Sequence, residues 1–184
     1  MAAKLPAKLQ KIVDAIEKEE LYAAKKVRPG SREMILGNMY IHVYDAKWKN
    51  TLEWWDAHPM WILLRKTGDR MHGINLNYIP WLWRKNLTKK FLKMASWGKR
   101  ITYRDIKLAF QAGRVPLGYC ALAYRTYLYS HIRSPIYMFD SNNYEYALDN
   151  LTAKWKKATE QKIFKTLLSR FYKKVGGIGK TSKS

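Results

Sequence analysis

Apolar residues recur along the chain with two different periods. Leu9, Ile12, Val13 and Ile16 stand at helical spacing with charges between them, which predicts an amphipathic helix over residues 7–25 that ends before Arg28-Pro29-Gly30. From Asn38 the period shortens. Met39-Tyr40-Ile41-His42-Val43-Tyr44 and Trp61-Ile62-Leu63-Leu64 are aromatic and branched, and Gly73-Ile74-Asn75-Leu76-Asn77-Tyr78 alternates apolar with polar. These segments predict three strands of a small antiparallel sheet. Lys66-Thr67-Gly68-Asp69-Arg70 supplies the turn between the second and third. Residues 45–59 read as a longer connection with one helical turn at 52–55.

After Pro80 the helical period returns. Trp83, Leu87, Phe91 and Met94 recur about once per turn and stop at Gly98. Thr102-Tyr103-Arg104-Asp105 fits a capping box that opens a second helix through Ile106, Ala109 and Phe110, closed by Gly113. A third helix is expected over residues 119–132, ended by Ser134-Pro135, because the residue before proline avoids the α region. Residues 136–139 predict a short strand, and Asn142 with Glu145 predicts a cap opening a helix towards Lys157. A last helix carries Ile163, Leu167, Phe171 and Val175 on one side and Lys162, Lys165 and Lys173 on another, and residues 176–184 predict a flexible basic tail. No repeat with a fixed period is present. The expected class is α+β: a small antiparallel β-sheet, open or barrel-like, followed by a helical bundle. The expected division is an N-terminal amphipathic helix (1–30), a core α+β domain (31–158) and a basic C-terminal helix and tail (159–184).

A chain of 184 residues that is 47% hydrophobic can bury one core. Its single cysteine, Cys120, cannot form an intrachain disulfide, so stability must come from packing. With a mean hydropathy of −0.45 and only short apolar runs, no membrane-spanning helix is expected. The first residues lack the apolar core of a secretory signal, so the protein is expected to remain where it is made.

Charge changes the picture more. The 35 Lys and Arg against 14 Asp and Glu leave a formal net charge of +21, an excess whose self-repulsion an anionic partner would offset. The excess is local. Residues 1–83 hold 13 basic and 9 acidic side chains, but residues 84–133 hold 12 basic against Asp105 alone, and residues 151–184 hold 10 basic against Glu160 alone. Residues 134–150 reverse the sign with three acids and no base. Ordinary solubility is served by interspersed signs, so two stretches almost without acids point to a polyanion.

Catalytic chemistry finds less support. Gly177-Ile178-Gly179-Lys180-Thr181-Ser182 is similar to a phosphate-binding loop, yet Lys174 stands where that motif requires glycine. No two of His42, His58, His72 and His131 have the spacing that places two ligands on one helical face. Cys120 falls on a helix expected to be packed, and no Gly-x-Ser-x-Gly elbow exists. Asp45, Glu53, Asp56 and Asp69 are the one set from which a metal-dependent nuclease could be built. We expect them to be ordinary turn and ion-pair residues, Glu53 pairing with Lys49. The expectation is a protein without catalytic residues, metal or cofactor. Trp81, Trp83, Trp97 and Tyr103 are instead interleaved with bases, a mixture suited to holding phosphates and stacking on bases. The expected DNA contacts are Arg84, Lys85, Lys89, Lys90, Lys99, Arg100 and Arg104, with Lys162, Lys165, Lys173 and Lys174. They are directed at phosphates and indifferent to sequence.

Several motifs occur in order between residues 37 and 151. Gly37-Asn38-Met39-Tyr40 leads to Tyr44-Asp45-Ala46-Lys47. Leu52-Glu53-Trp54-Trp55-Asp56 follows, then Pro59, then Gly73-Ile74-Asn75-Leu76-Asn77-Tyr78-Ile79-Pro80. Cys120 is followed by Tyr127-Leu128-Tyr129-Ser130-His131-Ile132-Arg133-Ser134. Together they resemble the DNA end protector, or head completion, family of T-even-like contractile-tailed phages, with Asn77 in place of the family's histidine and Ile79 in place of its leucine. The resemblance implies a minor virion protein, in the host cytoplasm during assembly, that binds the ends of packaged linear DNA, shields them from exonuclease and helps complete the head. Its implied partners are DNA and other virion proteins, with no membrane, and an oligomer within the virion is compatible with it. The alternative is a structural neck, tail or baseplate protein whose basic surface docks on acidic neighbours or passing DNA.

Overall fold

The computed structural model describes residues 25–80, 102–115, 117–139 and 153–178, together with residues 6, 7, 10, 11, 14, 83, 84, 86, 87 and 90. Among the described residues eight strands form: β1 (Lys25–Val27), β2 (Met39–Ile41), β3 (Trp55–Asp56), β4 (Met60–Thr67), β5 (Arg70–Asn75), β6 (Tyr124–Leu128), β7 (Ile136–Phe139) and β8 (Trp155–Lys156). Six of them make one antiparallel sheet in the order β1-β7-β2-β4-β5-β6, open at β1 and β6, and β3 pairs with β8 in a separate ribbon. Three helices have full bounds: α1 (Tyr103–Ala112), α2 (Leu117–Ala123) and α3 (Glu160–Ile178).

Both faces of the sheet are covered. Side chains alternate along a strand, so Met39 and Ile41 of β2, Met60 and Ile62 of β4 and Ile74 of β5 join the core that also takes Ile106 and Phe110 of α1, Tyr119 of α2, and Ile163 and Leu167 of α3. Tyr40, Trp61, Leu63 and Met71 point the other way, into a second core with Val27, Met34, Tyr44, Tyr127 and Ile136. The run from Met60 to Leu63 lacks polar alternation for this reason: every one of its side chains is buried. Register along β4 and β5 shifts between Leu63 and Arg65, a bulge that leaves Leu64 outside the pairing. Gly68 closes the hairpin with φ +53°, a conformation that favours glycine. At Gly73 the requirement is space, since a Cβ would lie 2.1 Å from the Ile62 carbonyl oxygen and 2.6 Å from the Trp61 ring.

The helical bundle expected after the sheet does not form. The sheet continues through β6 and β7, and the helices cover one of its faces instead of packing chiefly on each other. The helix expected over residues 119–132 ends at Ala123, and Tyr124–Leu128 becomes the edge strand beside β5, with Arg70 opposite Leu128 and Ile74 opposite Tyr124. The strand expected over residues 73–78 stops at Asn75, and Leu76–Tyr78 forms a 3-10 turn capped by the Asn75 side chain, which accepts from Asn77 N. No helical turn forms at 52–55, where Trp55–Asp56 is extended as β3. The predicted capping box is present, with Thr102 and Asp105 bonded reciprocally at the start of α1 and Gly113 at its end. Strand β7 and helix α3 also form where expected, but α3 runs on through residues 176–178, past the expected start of the tail. Ala7, Gln10, Lys11 and Asp14 are helical, as are Trp83, Arg84, Asn86, Leu87 and Lys90, while Lys25–Val27 is strand. The helix expected to open at Asn142 falls outside the described residues up to position 152, and Trp155–Lys156 is strand.

Candidate nucleic-acid interface

The bases singled out from sequence fall into three groups. Arg104 on α1 and Lys162, Lys165 and Lys173 on α3 are exposed, and Lys90 is half-buried. Lys85, Lys89, Lys99 and Arg100 lie outside the described residues, as does the side chain of Lys174. Arg84 is placed differently, only 7% exposed. Its guanidinium donates to the carbonyls of Ile79 and, at 3.1 Å, Asn77, and meets Glu160 Oε1 at 3.4 Å. Burial draws its pKa down to about 10, opposed by the charges of Glu160 and Asp56. Arg84 therefore braces the start of α3 against the turn that follows β5, and its charge faces inward.

That turn belongs to a buried polar hub. Asp56 Oδ2 accepts from Asn75 Nδ2 at 3.1 Å and Asn77 Nδ2 at 2.6 Å, and Oδ1 accepts from the backbone N–H of His58 at 3.0 Å and of Lys154 at 3.1 Å. Burial raises the carboxyl pKa, and the four donors pull it back. Trp55-Asp56 and Asn75-Leu76-Asn77, two of the motifs quoted from the sequence, thus meet at one carboxylate. They tie strand β3, the end of β5 and the approach to α3 together.

The hub floors a cleft of about 760 Å³. Residues 44–56 form one wall, β5 and β6 another, and Leu167 and Arg170 of α3 close it. Cations and aromatic rings alternate around it. The Arg125 guanidinium lies 3.9 Å from the Tyr78 ring centre, Lys47 Nζ lies 5.1 Å from that of Trp48, and Arg170 lies 5.4 Å from that of Trp54, all within cation–π range. Arg170 also donates to both oxygens of Glu53 at 2.7 Å. Lys157, held at φ +67°, donates to the carbonyls of Asn50 and Leu52 at 3.0 and 3.1 Å, fixing the outer loop from the α3 side. Two large apolar side chains remain open at this cleft, Trp48 at 64% and Leu52 at 39% exposure.

The acidic set Asp45, Glu53, Asp56 and Asp69 is dispersed into separate pairings. Asp45 binds Lys49 at 2.9 Å, Glu53 binds Arg170 in place of the expected Lys49, Asp69 meets Arg70 at 3.3 Å, and Asp56 is the hub. Among the described residues no group of three His, Cys, Asp or Glu side chains could hold a metal ion. His42 is buried among Tyr44, Trp61 and Tyr127 and accepts from Trp61 Nε1 at 3.1 Å. Burial, reinforced by the charge of His58, draws its pKa down to about 3. His72 Nδ1 lies 3.0 Å from Thr126 Oγ1 across the β5–β6 pair, and His131 Nδ1 lies 2.8 Å from the Asp45 carbonyl oxygen. Cys120 is buried, and burial raises its thiol pKa. Among the described residues no helix is long and apolar enough to cross a membrane.

The sequence gathers aromatic and basic residues in residues 81–104. The cleft draws them from positions 47, 48, 54, 78, 125 and 170, and apart from the neighbours Lys47 and Trp48 its cation–aromatic pairs are too far apart for a local pattern. A family model described as Phage T4 terminal DNA protecting protein matches residues 5–167, from before β1 to the middle of α3. No curated protein and no solved structure matches the chain.

Proposed function

The chain belongs to the phage T4 terminal DNA protecting protein family, and from that membership we propose that it is a minor virion protein that binds the ends of packaged linear DNA. Bound there, it denies exonucleases the terminus and contributes to completing the head, in the virion and, during assembly, in the host cytoplasm. The family match carries this reading. The charge supports it, because a net +21 concentrated in two nearly acid-free segments suits a phosphate backbone. Exposed Arg104, Lys162, Lys165 and Lys173 supply part of that surface. Protection by occupancy needs no chemical step, and the carboxylates that a nuclease would use for metal are engaged by Lys49, Arg170, Arg70 and the Asp56 hub. We therefore read the protein as a binder and not an enzyme.

Filter binding of linear duplex across a salt series, paired with exonuclease digestion, tests the reading. With about 6 to 10 phosphates contacted, affinity should fall by roughly 10³ to 10⁵ between 50 and 200 mM salt. Protection should track occupancy. No binding at low salt, or binding without protection, would favour the alternative in which the basic surface docks on acidic protein neighbours.

A further inference from the structure

Resting on the reading that the protein binds DNA ends, we propose that the cleft between residues 44–56, strands β5 and β6 and helix α3 receives the terminal nucleotide of a DNA strand. Its base lies against Trp48 and Leu52, and its phosphate is held among Lys47, Arg70 and Arg125. The ligand must explain two features that occur together. Trp48 and Leu52 are large, apolar and open to water at the cleft, which calls for a partner with an apolar face. Lys47 and Arg125 line the same cleft and form no ion pair with a carboxylate among the described residues, which calls for an anion. A nucleotide carries both.

The electrostatics of the cleft are arranged for that charge. Glu53, its one exposed acid, is held by Arg170 through both oxygens at 2.7 Å, and the Asp56 carboxylate behind it accepts four hydrogen bonds. Arg125 is already oriented, stacked 3.9 Å from the Tyr78 ring centre and donating to the Tyr124 carbonyl at 3.1 Å, so binding need not fix a loose guanidinium. Size and topology then select an end. A cleft of about 760 Å³ has the volume of a small-molecule site. Within a continuous duplex both faces of each base are stacked on neighbours, and only the terminal base offers a free face to an indole.

Competition binding separates this proposal from the reading beneath it. The probes are a short linear duplex with non-complementary, frayed ends and a covalently closed circle of the same sequence, compared for the native chain and for Trp48→Ala, Trp48→Phe and Arg125→Gln. The native chain should prefer the linear form. Trp48→Ala and Arg125→Gln should each cut that preference about tenfold, the scale of one base–aromatic stack, and Trp48→Phe should restore most of it. Thermal melting checks that the variants fold, as the exposure of Trp48 leads one to expect. If the native chain prefers ends and all three variants do so equally, the cleft is overturned while end binding stands. If the native chain shows neither preference nor protection, both fail. Variants that keep the preference for ends but drop out of assembled particles would show that a protein segment occupies the cleft, which also overturns the proposal.

Discussion

Replacing Asp56 by Asn changes one atom's chemistry at the point where four hydrogen bonds converge, and its cost can be worked from the geometry. The amide keeps one acceptor, which can continue to receive the backbone N–H of His58 and Lys154, now at 3.0 and 3.1 Å. Its NH2 then faces the NH2 groups of Asn75 and Asn77, donor against donor. Neither asparagine can turn over freely. The Asn75 oxygen accepts from Asn77 N at 2.9 Å, and turning Asn77 would give up the bond from its amide to the His58 carbonyl at 3.1 Å. Two buried donors therefore lose their acceptor at about 1 to 3 kcal/mol each, offset in part because a charge no longer has to be desolvated. A net loss of about 2 to 4 kcal/mol at neutral pH is expected, which for a chain of this size lowers the melting temperature by roughly 5 to 15 °C. Urea unfolding followed by tryptophan fluorescence measures it. A variant within about 0.5 kcal/mol of the native chain would refute the view that this carboxylate organises the junction of β3, β5 and α3, because changes of that size are typical of surface sites.

Three further outcomes are expected. Gly73→Ala should cost about 3 kcal/mol, the upper end of overpacking penalties, because the added Cβ meets the Ile62 carbonyl oxygen at 2.1 Å; an unchanged urea midpoint would contradict the tight pairing of β4 and β5. Since burial holds the folded pKa of His42 near 3, below the 6.5 of an exposed histidine, the unfolded chain binds the extra proton first. The stability this contributes is complete above about pH 6.5 and is lost as pH falls towards 3, with a slope of about 1.4 kcal/mol per pH unit that His42→Gln should remove from the pH dependence of unfolding. Lys162, Lys165 and Lys173 are exposed, so changing all three to Gln should leave the melting temperature within a few degrees. Filter binding should show weaker DNA affinity and a salt slope smaller by up to about three.

What could be read from the sequence follows from how local its cause is. The Thr102–Asp105 capping box and the Gly68 turn are set within four residues and formed as expected. The helix expected over residues 119–132 gives way to strand at 124–128 because Tyr127 packs in the second core and the segment pairs with β5, a partner 54 positions away that no local pattern reveals. Asn75 and Asn77 read as the polar side of a strand; both are buried, because Asp56 waits for their amides. Charge announced the class of partner, but a bare count could not separate exposed Lys162 from Arg84, whose acceptors are backbone carbonyls brought close by the fold.

The cleft is closed by contacts between parts of the chain made at very different times. Lys154 N reaches Asp56 across 98 positions, Lys157 reaches Asn50 across 107, and Arg170 reaches Glu53 across 117. At synthesis rates of about 5 to 20 residues per second, the outer loop waits several seconds for the helix that holds it. Contacts of such separation need the closure of long loops, as does the pairing of β1 with β7, where Lys25 meets Met138. On the ribosome the strands of the six-stranded sheet, complete at Phe139, are therefore made before Lys154, Lys157 and Arg170, the residues that close the cleft.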